Sequence, residues 1–428
     1  MKTLIFLTDR FPYGRGETFV ENEIPYIAKE FDNVILIPTS IAVNTKRERK
    51  LPSNVFVVSP SDNDDIFELS KCSRFRKMIW GIKKLGFYAF LSLFDKNLYD
   101  ELHIAYNERC LNLYSVINIF KTTSTYKRSL YKYHSYLDDI EQNEDIFVYS
   151  YWANTPLLYY LNYLKKNRAV RKAICRAHRI DLYKDQNRGG YIPFQKRTIQ
   201  TVDNYILISK DGFDYILDNY REFKSKFSVD YLGTKDYGVG IHNEKDPFVI
   251  VSCALVSSVK RIDKLVSALS LIDDYNIKWI HIGDGPDFQA LCNYAKQKLN
   301  NKRNISYELK GYMTNENIMD FYKHNNTNLF VNTSSSEGLP VSIMEAISFG
   351  MPVIATDVGS TREIVIEGKN GRLLPSYFDD AQLANYVGDY VKMDFESYRY
   401  ECAFSRKMWK EKFYDVNNYT KFVIDYLR

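Results

Sequence analysis

The sequence predicts an α/β protein built from two doubly wound domains, each on a parallel sheet. Short apolar, β-branched runs alternate with longer helix-compatible segments, which is typical of parallel strands joined by right-handed crossovers. Several runs, such as 248–254, are apolar on both faces, as strands covered by helices on both sides must be. The chain has 428 residues, and at roughly 100–200 residues per domain this length favours two domains.

The predicted strands, taken in order, exceed what one open sheet normally holds. They are 3–8, 34–38, 55–59, 146–151, 173–176, 206–209, 229–232, 248–254, 279–283, 329–333 and 353–357. The stretch 232–247 is rich in Gly, Lys and Asp and has no periodicity, so we interpret it as an interdomain linker. We therefore predict an N-terminal domain over 1–235 and a C-terminal domain over 236–400. Residues 401–428 are expected to form a helix that packs back on the N-terminal domain.

Composition excludes several classes of protein. With 45% hydrophobic and 26% charged residues, the chain is not disordered, collagenous or a coiled coil. The net charge of +5 is too small to propose nucleic-acid binding. The apolar stretches are shorter than the roughly 18–20 residues that span a bilayer, and the N-terminus is predicted as a strand and not as a signal peptide. The six cysteines form no C-x-x-C pair, which argues against a zinc site or a disulfide framework and favours a reduced, cytoplasmic protein.

One segment, 61–145, does not follow the alternation and is predicted as a helical insertion rich in aromatic residues. Within it, 71–94 contains six basic residues and no acidic one, with Phe87, Phe90, Leu91 and Phe94 at helical spacing. A basic, aromatic amphipathic helix can lie in an anionic membrane surface. Alternatively, these rings pack on the N-terminal domain and the lysines are solvated.

The densest cluster of candidate functional residues is SSSEGLPVSIMEA at 334–346, directly after a predicted strand. Pro340 suits the first turn of a helix, so the N–H groups of Gly338 and Leu339 are expected at a helix N-terminus suited to a diphosphate. Glu337 and Glu345 would repel that phosphate and are better placed to accept hydrogen bonds from hydroxyls of a ribose and a sugar. The alternatives are a helix cap for Glu337 and a surface position for Glu345.

Three other loops follow predicted strands. Lys260 and Arg261 follow 248–254, where a cation can neutralise the charge on a leaving diphosphate; the alternative is a solvated pair. His178 follows 173–176, with Asp181 nearby, and is a candidate functional residue; the alternative is a structural histidine. Gly14 and Gly16 follow the first strand and let the backbone approach a ligand. The segment 368–371 is predicted as a hairpin turn.

At these residues the chain resembles the family 4 retaining glycosyltransferases of the GT-B fold, especially those that build bacterial exopolysaccharide, capsule or lipopolysaccharide. The strongest mark is Glu337-x7-Glu345 within EGLPVSIMEA. The likeness extends over most of the chain outside 61–145, through FPYGRGETFVENEI, RAHRIDLY, SxxVKRID, IGDGP, VGSTREIV and GKNGRLL. It implies two Rossmann-like domains that face each other across a cleft.

The resemblance also implies roles for individual residues. Glu337, Lys260 and His178 would be catalytic: they would bind the donor sugar, bind the diphosphate, and lie beside the reacting sugar. Many relatives have Gly-Arg where this chain has Cys253 and Ala254, so Arg261 becomes the candidate for a second phosphate-binding cation. The other donor-binding residues would be Glu345 at the ribose, Gly311, Tyr312 and Met313 at the nucleobase, Gly338 and Leu339 through their N–H groups, and Gly14 and Gly16 lining the cleft.

The implied reaction is metal-independent, cofactor-free transfer from a nucleotide-sugar to a glycan or lipid-linked acceptor, with retention at the anomeric carbon. The expected location is the cytoplasm or the inner face of the plasma membrane. Two alternatives are a nucleotide-sugar epimerase of the GT-B fold and a non-catalytic sugar-binding protein. A metal-dependent transferase would use the Asp-x-Asp at Asp62 and Asp64, which is better interpreted as a solvated turn.

Overall fold

The computed structural model describes residues 1–14, 16–40, 49–58, 96–140, 144–242 and 246–428. The chain divides into two compact units. The first comprises Met1–Leu207, Gly212–Val229 and Val423–Arg428, and the second comprises Ile208–Asp211 and Asp230–Phe422. Of the terminal segment 401–428, only the last six residues group with the first unit. The helix Phe395–Lys412 belongs to the second unit. There its Glu401 accepts hydrogen bonds from Arg372 (2.9 Å) and from the hydroxyl of Tyr390 (2.6 Å).

The first unit contains a seven-stranded parallel sheet with the order β3-β2-β1-β4-β5-β6-β7. Its strands are β1 Lys2–Thr8, β2 Asn33–Pro38, β3 Val55–Val57, β4 Asp145–Ser150, β5 Val170–Ala177, β6 Asn204–Leu207 and β7 Phe227–Val229. Leu7, Val148 and Cys175 are among the fully buried residues of its core.

The second unit contains a six-stranded parallel sheet with the order β10-β9-β8-β11-β12-β13. Its strands are β8 Phe248–Cys253, β9 Ile277–Ile282, β10 Ile305–Leu309, β11 Leu329–Asn332, β12 Val353–Thr356 and β13 Gly371–Leu374. Ile250, Trp279 and Ile354 are buried in its core. The two sheets confirm the predicted fold class.

Helices follow most of the strands in both units. They are α1 Thr18–Ala28, α2 Lys96–Asn107, α3 Leu113–Asp138, α4 Leu157–Asn167, α5 Arg179–Leu182, α6 Gln195–Thr201, α7 Lys210–Asn219, α8 Ile262–Ser270, α9 Phe288–Leu299, α10 Asn315–His324, α11 Val341–Ser348, α12 Asp380–Lys392, α13 Phe395–Lys412 and α14 Asp415–Leu427. Short 3-10 turns occupy Lys184–Gln186, Arg221–Lys226 and Gly359–Glu363. Among the described residues, no helix is both long enough and apolar enough to cross a membrane.

Every predicted strand overlaps a strand of the structure, but β10 and β13 were not predicted. The segment 368–371 does form a turn, yet the prediction of a hairpin is wrong because β13 pairs with β12 in parallel. The described part of the insertion is helical, as predicted, and consists of α2 and α3. The basic, aromatic segment 71–94 and the Asp-x-Asp at 62–64 lie outside the described residues.

Candidate functional site

The candidate site of the second unit lies at the point where the strand order of its sheet reverses. The central neighbours β8 and β11 have connections that leave in opposite directions, to β9 on one side and to β12 on the other. In open α/β sheets, ligands bind beyond the carboxyl ends of strands at such a switch point. The loop that carries Lys260 follows β8, and the loop that carries Glu337 follows β11. The topology therefore brings these two predicted residues to the same sheet edge.

Lys260 and Glu337 are in direct contact there. The Lys260 Nζ donates to Glu337 Oε1 at 2.6 Å, and the Asn332 side-chain amide donates to the same oxygen at 3.2 Å. The Lys260 side chain is 26% exposed and that of Glu337 is 10% exposed. The ammonium is thus within reach of solvent while its charge is balanced by a nearly buried carboxylate. An incoming phosphate can replace that carboxylate as the hydrogen-bond partner of the lysine.

The loop from Glu337 to Leu339 is held in place by the turn Gly359–Glu363. The Ser360 N–H donates to the Gly338 carbonyl at 3.0 Å. Gly359 has a φ of +54°, and a Cβ there would lie 2.0 Å from the Glu337 carbonyl oxygen, so this close approach requires glycine. Within the described ranges, the N–H groups of Gly338 and Leu339 donate to no protein acceptor. They immediately precede α11, as predicted, and are available to a ligand anion.

Glu345 lies on the second turn of α11 and is buried. Burial raises the pKa of its carboxyl to about 7, against a smaller lowering effect from the Asn315 amide. The Asn315 Nδ2 donates to Glu345 Oε1 at 2.6 Å. Asn315 opens α10, two residues after Met313, so it links the predicted ribose carboxylate to the predicted nucleobase segment. The sequence reasoning missed Asn315, because nothing in its spacing shows a partner 30 residues away.

The segment Gly311 to Met313 begins at a bridge to the loop after β9. The Gly283 N–H donates to the Gly311 carbonyl at 2.8 Å, and Gly311 has a φ of +68°. Tyr312 is 44% exposed. A Cβ on Gly283 would lie 1.9 Å from the Ala254 carbonyl oxygen, so the IGDGP segment at 282–286 packs directly on the loop after β8.

The Arg261 guanidinium connects the loops that follow β11 and β13. It donates to the carbonyls of Thr333 (2.8 Å), Ser376 (2.9 Å) and Ser334 (3.1 Å). Burial lowers the pKa of this guanidinium. These contacts make Arg261 a positioning residue for the Glu337 loop, and its role as a second phosphate-binding cation stays a prediction.

His178 belongs to the first unit and is buried at the end of β5. Its Nε2–H donates to the Tyr151 carbonyl at 3.1 Å, and its ring centroid lies 4.3 Å from that of Trp152. Burial, and then the charge of Arg176, lower its pKa to about 3, so the ring is neutral near pH 7. Asp181 accepts hydrogen bonds from the N–H groups of His178 and Ala153, each at 2.6 Å. This carboxylate fixes the loop after β4 to the loop after β5.

The loop that contains Gly14 and Gly16 is anchored by Glu17, which the sequence reasoning did not single out. The Glu17 carboxylate accepts hydrogen bonds from the N–H groups of Asp9 (3.0 Å), Arg10 (2.7 Å) and Phe11 (2.6 Å) and from the indole of Trp152 (2.6 Å). A Cβ on either glycine would meet nothing within 4 Å, which leaves space above the loop for a ligand. Glu17 and Trp152 thus join the loop after β1 to the loop after β4.

A metal site is not evident in the described ranges, where no group of three or more His, Cys, Asp or Glu side chains could hold an ion. The polar groups that converge in the second unit are instead an ammonium, two carboxylates and backbone N–H groups. This set can bind a phosphate and hydroxyl groups together.

Part of the chain is similar to a family of known proteins. Residues 239–406 match the family described as "Glycosyl transferases group 1". The GtfA subunit of a UDP-N-acetylglucosamine–peptide N-acetylglucosaminyltransferase from Streptococcus agalactiae is 25% identical over 49% of this chain and 41% of its own length. The lipopolysaccharide 1,6-galactosyltransferase of Escherichia coli K12 is 28% identical over 44% of this chain and 51% of its own length. The chain thus spans about half the length of these relatives or less.

Solved structures resemble the whole chain. The apo form of a lipopolysaccharide outer core galactosyltransferase superposes with a TM-score of 0.64 at 17% identity, over 99% of this chain and 98% of the other. The Anabaena protein HepE in complex with UDP superposes with a TM-score of 0.60 at 14% identity, over 100% and 99%. These structural likenesses confirm the predicted GT-B fold. The family match over 239–406 and the lipopolysaccharide galactosyltransferase relative confirm the predicted resemblance to glycosyltransferases of cell-surface glycan synthesis.

Proposed function

We propose that the protein is a retaining glycosyltransferase that moves a sugar from a nucleotide-sugar to a hydroxyl of a glycan or lipid-linked acceptor. The observation that carries this proposal is the convergence of Lys260, Glu337, Glu345 and the N–H groups of Gly338 and Leu339 at one switch point. Each component matches one part of such a donor.

The donor would bind along the loops after β8, β9, β10 and β11. The diphosphate would accept hydrogen bonds from the N–H groups of Gly338 and Leu339 and from the ammonium of Lys260. Glu337, released from Lys260, would accept hydrogen bonds from hydroxyls of the donor sugar. Glu345 would accept those of the ribose, while Gly311, Tyr312 and Met313 flank the base.

The chemical step would replace one bond at the anomeric carbon on the face from which the leaving group departs. The bond from that carbon to the diphosphate oxygen breaks as the acceptor oxygen bonds to it, and the departing diphosphate takes the acceptor proton. Lys260 and the N-terminus of α11 would stabilise the charge that develops on the diphosphate. We expect no metal or cofactor to be required. His178, neutral and fixed by its neighbours, would orient or polarise the reacting sugar and would not act as the base.

The acceptor would belong to cell-surface polysaccharide synthesis at the cytoplasmic side of the membrane. This is supported by the likeness to a lipopolysaccharide galactosyltransferase. UDP-sugars are the first donors to try, because a similar structure holds UDP.

The test is a thermal-shift screen of UDP, GDP, ADP and their sugars, followed by acceptor trials with the best donor. A ligand that binds only the folded state stabilises it by about 2.7 kcal/mol at 100 times its Kd. We expect a shift that shrinks in Lys260→Ala and Glu345→Ala. If no nucleotide or nucleotide-sugar raises the melting temperature, the proposal fails. Turnover of the donor without any acceptor would indicate the epimerase instead.

We also propose, from the sequence of 71–94 alone, a contact with anionic membrane surfaces. The six basic residues of this aromatic-rich sequence should favour anionic lipid, at roughly 1 kcal/mol for each cation near the surface. In liposome flotation, the protein should rise with vesicles that contain phosphatidylglycerol and not with neutral vesicles. Lys83→Glu with Lys84→Glu should abolish this flotation. Binding that is insensitive both to lipid charge and to these substitutions would contradict the membrane contact.

A further inference from the structure

A second concave site lies in the second unit, at the sheet edge opposite the candidate donor site. It is a cavity of about 980 Å³ between the segment 239–242 and one face of α13. The segment 239–242 precedes β8, and Gly350, also in the lining, precedes β12. Both therefore lie at the amino-terminal edge of the sheet, whereas substrates of such sheets bind at the carboxyl edge. The volume is at the upper end of the range typical of small-molecule sites, about 300–1,000 Å³.

The walls of this cavity are largely apolar and are fixed in place. Ile241, Phe395, Tyr398 and Ala403 contribute to them. The segment 239–242 is anchored through the ring of His242, whose nitrogens lie 2.5 Å from the Thr327 carbonyl and 2.8 Å from the Phe349 carbonyl. Ile241 and Phe395 are 41% and 48% exposed, so apolar surface faces the opening.

The rim of the cavity is basic. Four cations on α13 line it, Arg399, Arg406, Lys407 and Lys410, against one carboxylate, Glu411. Their spacing of seven, eight and eleven residues from Arg399 places them along one face of the helix. Asp236 pairs with Arg406 at 2.5 Å and with Lys410 at 3.4 Å. Counting Asp236 and Glu411 against the four cations leaves an excess of two positive charges at the mouth.

We propose that this cavity binds an anionic amphiphile with a single acyl chain, of the fatty carboxylate class. The apolar walls would bury the chain, and the cations of α13 would hold the carboxylate at the mouth. A small anion would leave the walls exposed, and a cationic amphiphile of the same chain length would place its charge against the rim. The cavity should therefore bind only a ligand that has both an acyl chain and a negative charge.

The site is tested on the full chain with three probes: dodecanoate below its micelle concentration, dodecyltrimethylammonium with the same chain and opposite charge, and acetate with the charge and no chain. Calorimetric titration should show binding of dodecanoate only. Its location is read from Cys402, a thiol in the lining that forms no disulfide. Dodecanoate should slow maleimide labelling of Cys402 at least fivefold and leave labelling of Cys292, outside the lining, unchanged.

Two sets of variants test separately the contributions of the acyl chain and of the negative charge to binding. Ala403→Trp fills the cavity from an exposed position and should abolish dodecanoate binding. Arg399→Glu with Lys407→Glu should lower the affinity at least tenfold. Lys323→Glu, at an exposed position on α10 outside the lining, should leave it unchanged. Thermal unfolding checks that each variant is folded. Equal binding of the cationic amphiphile, full affinity in Ala403→Trp, or no binding of dodecanoate by the native chain would each overturn the proposal.

Discussion

At the residue scale, the two glutamates of the candidate site are held in opposite electrostatic settings. Glu337 contacts the ammonium of Lys260, whereas Glu345 is buried with a neutral amide as its hydrogen-bond donor. A buried carboxylate without a cation is costly in its charged form. Hydroxyl groups of a bound nucleotide would supply the hydrogen bonds that favour this charge. The native fold thus leaves Glu345 less stable as an anion than it would be beside a ligand.

Glu345 should make the stability of the protein fall as pH rises through the neutral range. Burial raises its pKa from 4.5 to about 7, so between these values the folded carboxyl keeps a proton that the unfolded one releases. The folded state is therefore progressively disfavoured as pH rises across this window, by about 3 kcal/mol in total at ~1.4 kcal/mol per pH unit. Glu345→Gln removes this effect. The free energy of unfolding of the variant, minus that of the native protein, should rise by up to about 3 kcal/mol between pH 5 and pH 8.

Urea unfolding at several pH values measures this difference. Glu316→Gln, at an exposed position on α10, serves as the matched control and should give a curve parallel to that of the native protein. Parallel curves for Glu345→Gln as well would show that the carboxyl titrates alike in the folded and unfolded chains.

At the element scale, Asn315 couples the start of α10 to the second turn of α11. Its amide donates a hydrogen bond to the buried Glu345 carboxylate. A hydrogen bond to a charged group contributes about 1.5–3 kcal/mol. Asn315→Ala should therefore lower the affinity for the best nucleotide about tenfold or more. Asn317→Ala, an exposed change on the same helix, should leave the affinity unchanged. Equal affinities for these two variants in calorimetric titration would remove Asn315 from the site.

The turn Gly359–Glu363 should be needed for the shape of the Glu337 loop. A side chain at Gly359 would collide with the Glu337 carbonyl oxygen, so Gly359→Ala should displace the loop and weaken nucleotide binding at least tenfold. Gly368→Ala is a close control. Gly368 also has a positive φ, +71°, but a Cβ there would meet nothing within 4 Å. It should lose roughly 1 kcal/mol of stability from backbone strain and keep its affinity for the nucleotide.

The elements show which parts of the fold could be predicted from sequence. Strands such as β8 and β11 are buried on both faces, so their apolar runs identified them. The two strands that were missed, β10 and β13, are the edges of the second sheet. An edge strand has one neighbour and can carry polar residues such as Glu308 or begin with Gly371, so it lacks the apolar run. The EGLPVSIMEA motif and Lys260 were found because consecutive residues define them. Asn315 and Glu17 were missed because each acts through contacts made only in the folded chain.

At the scale of the whole molecule, the two units are related to known proteins in different ways. The family match covers 239–406, which lies within the second unit, while the first unit is matched by fold at low sequence identity. Under the proposed function, the nucleotide-sugar would bind to the second unit. The first unit carries His178, Trp152 and the helices α2 and α3, and under the proposed function it would bind the acceptor.

A nucleotide that binds to the second unit as proposed should slow hydrogen exchange in that unit. Peptide-resolved hydrogen exchange of the full chain, with and without saturating UDP or the best nucleotide from the screen, should show protection concentrated in the second unit. The strongest protection is expected at the loops that carry Lys260, Gly311 and Glu337 and at the first turns of α11, because a ligand bound there lowers the frequency of local opening. Lys260→Ala should reduce protection at all of these loops together, since they would share one ligand. Protection confined to the first unit, or protection in the second unit that Lys260→Ala leaves unchanged, would place the nucleotide elsewhere.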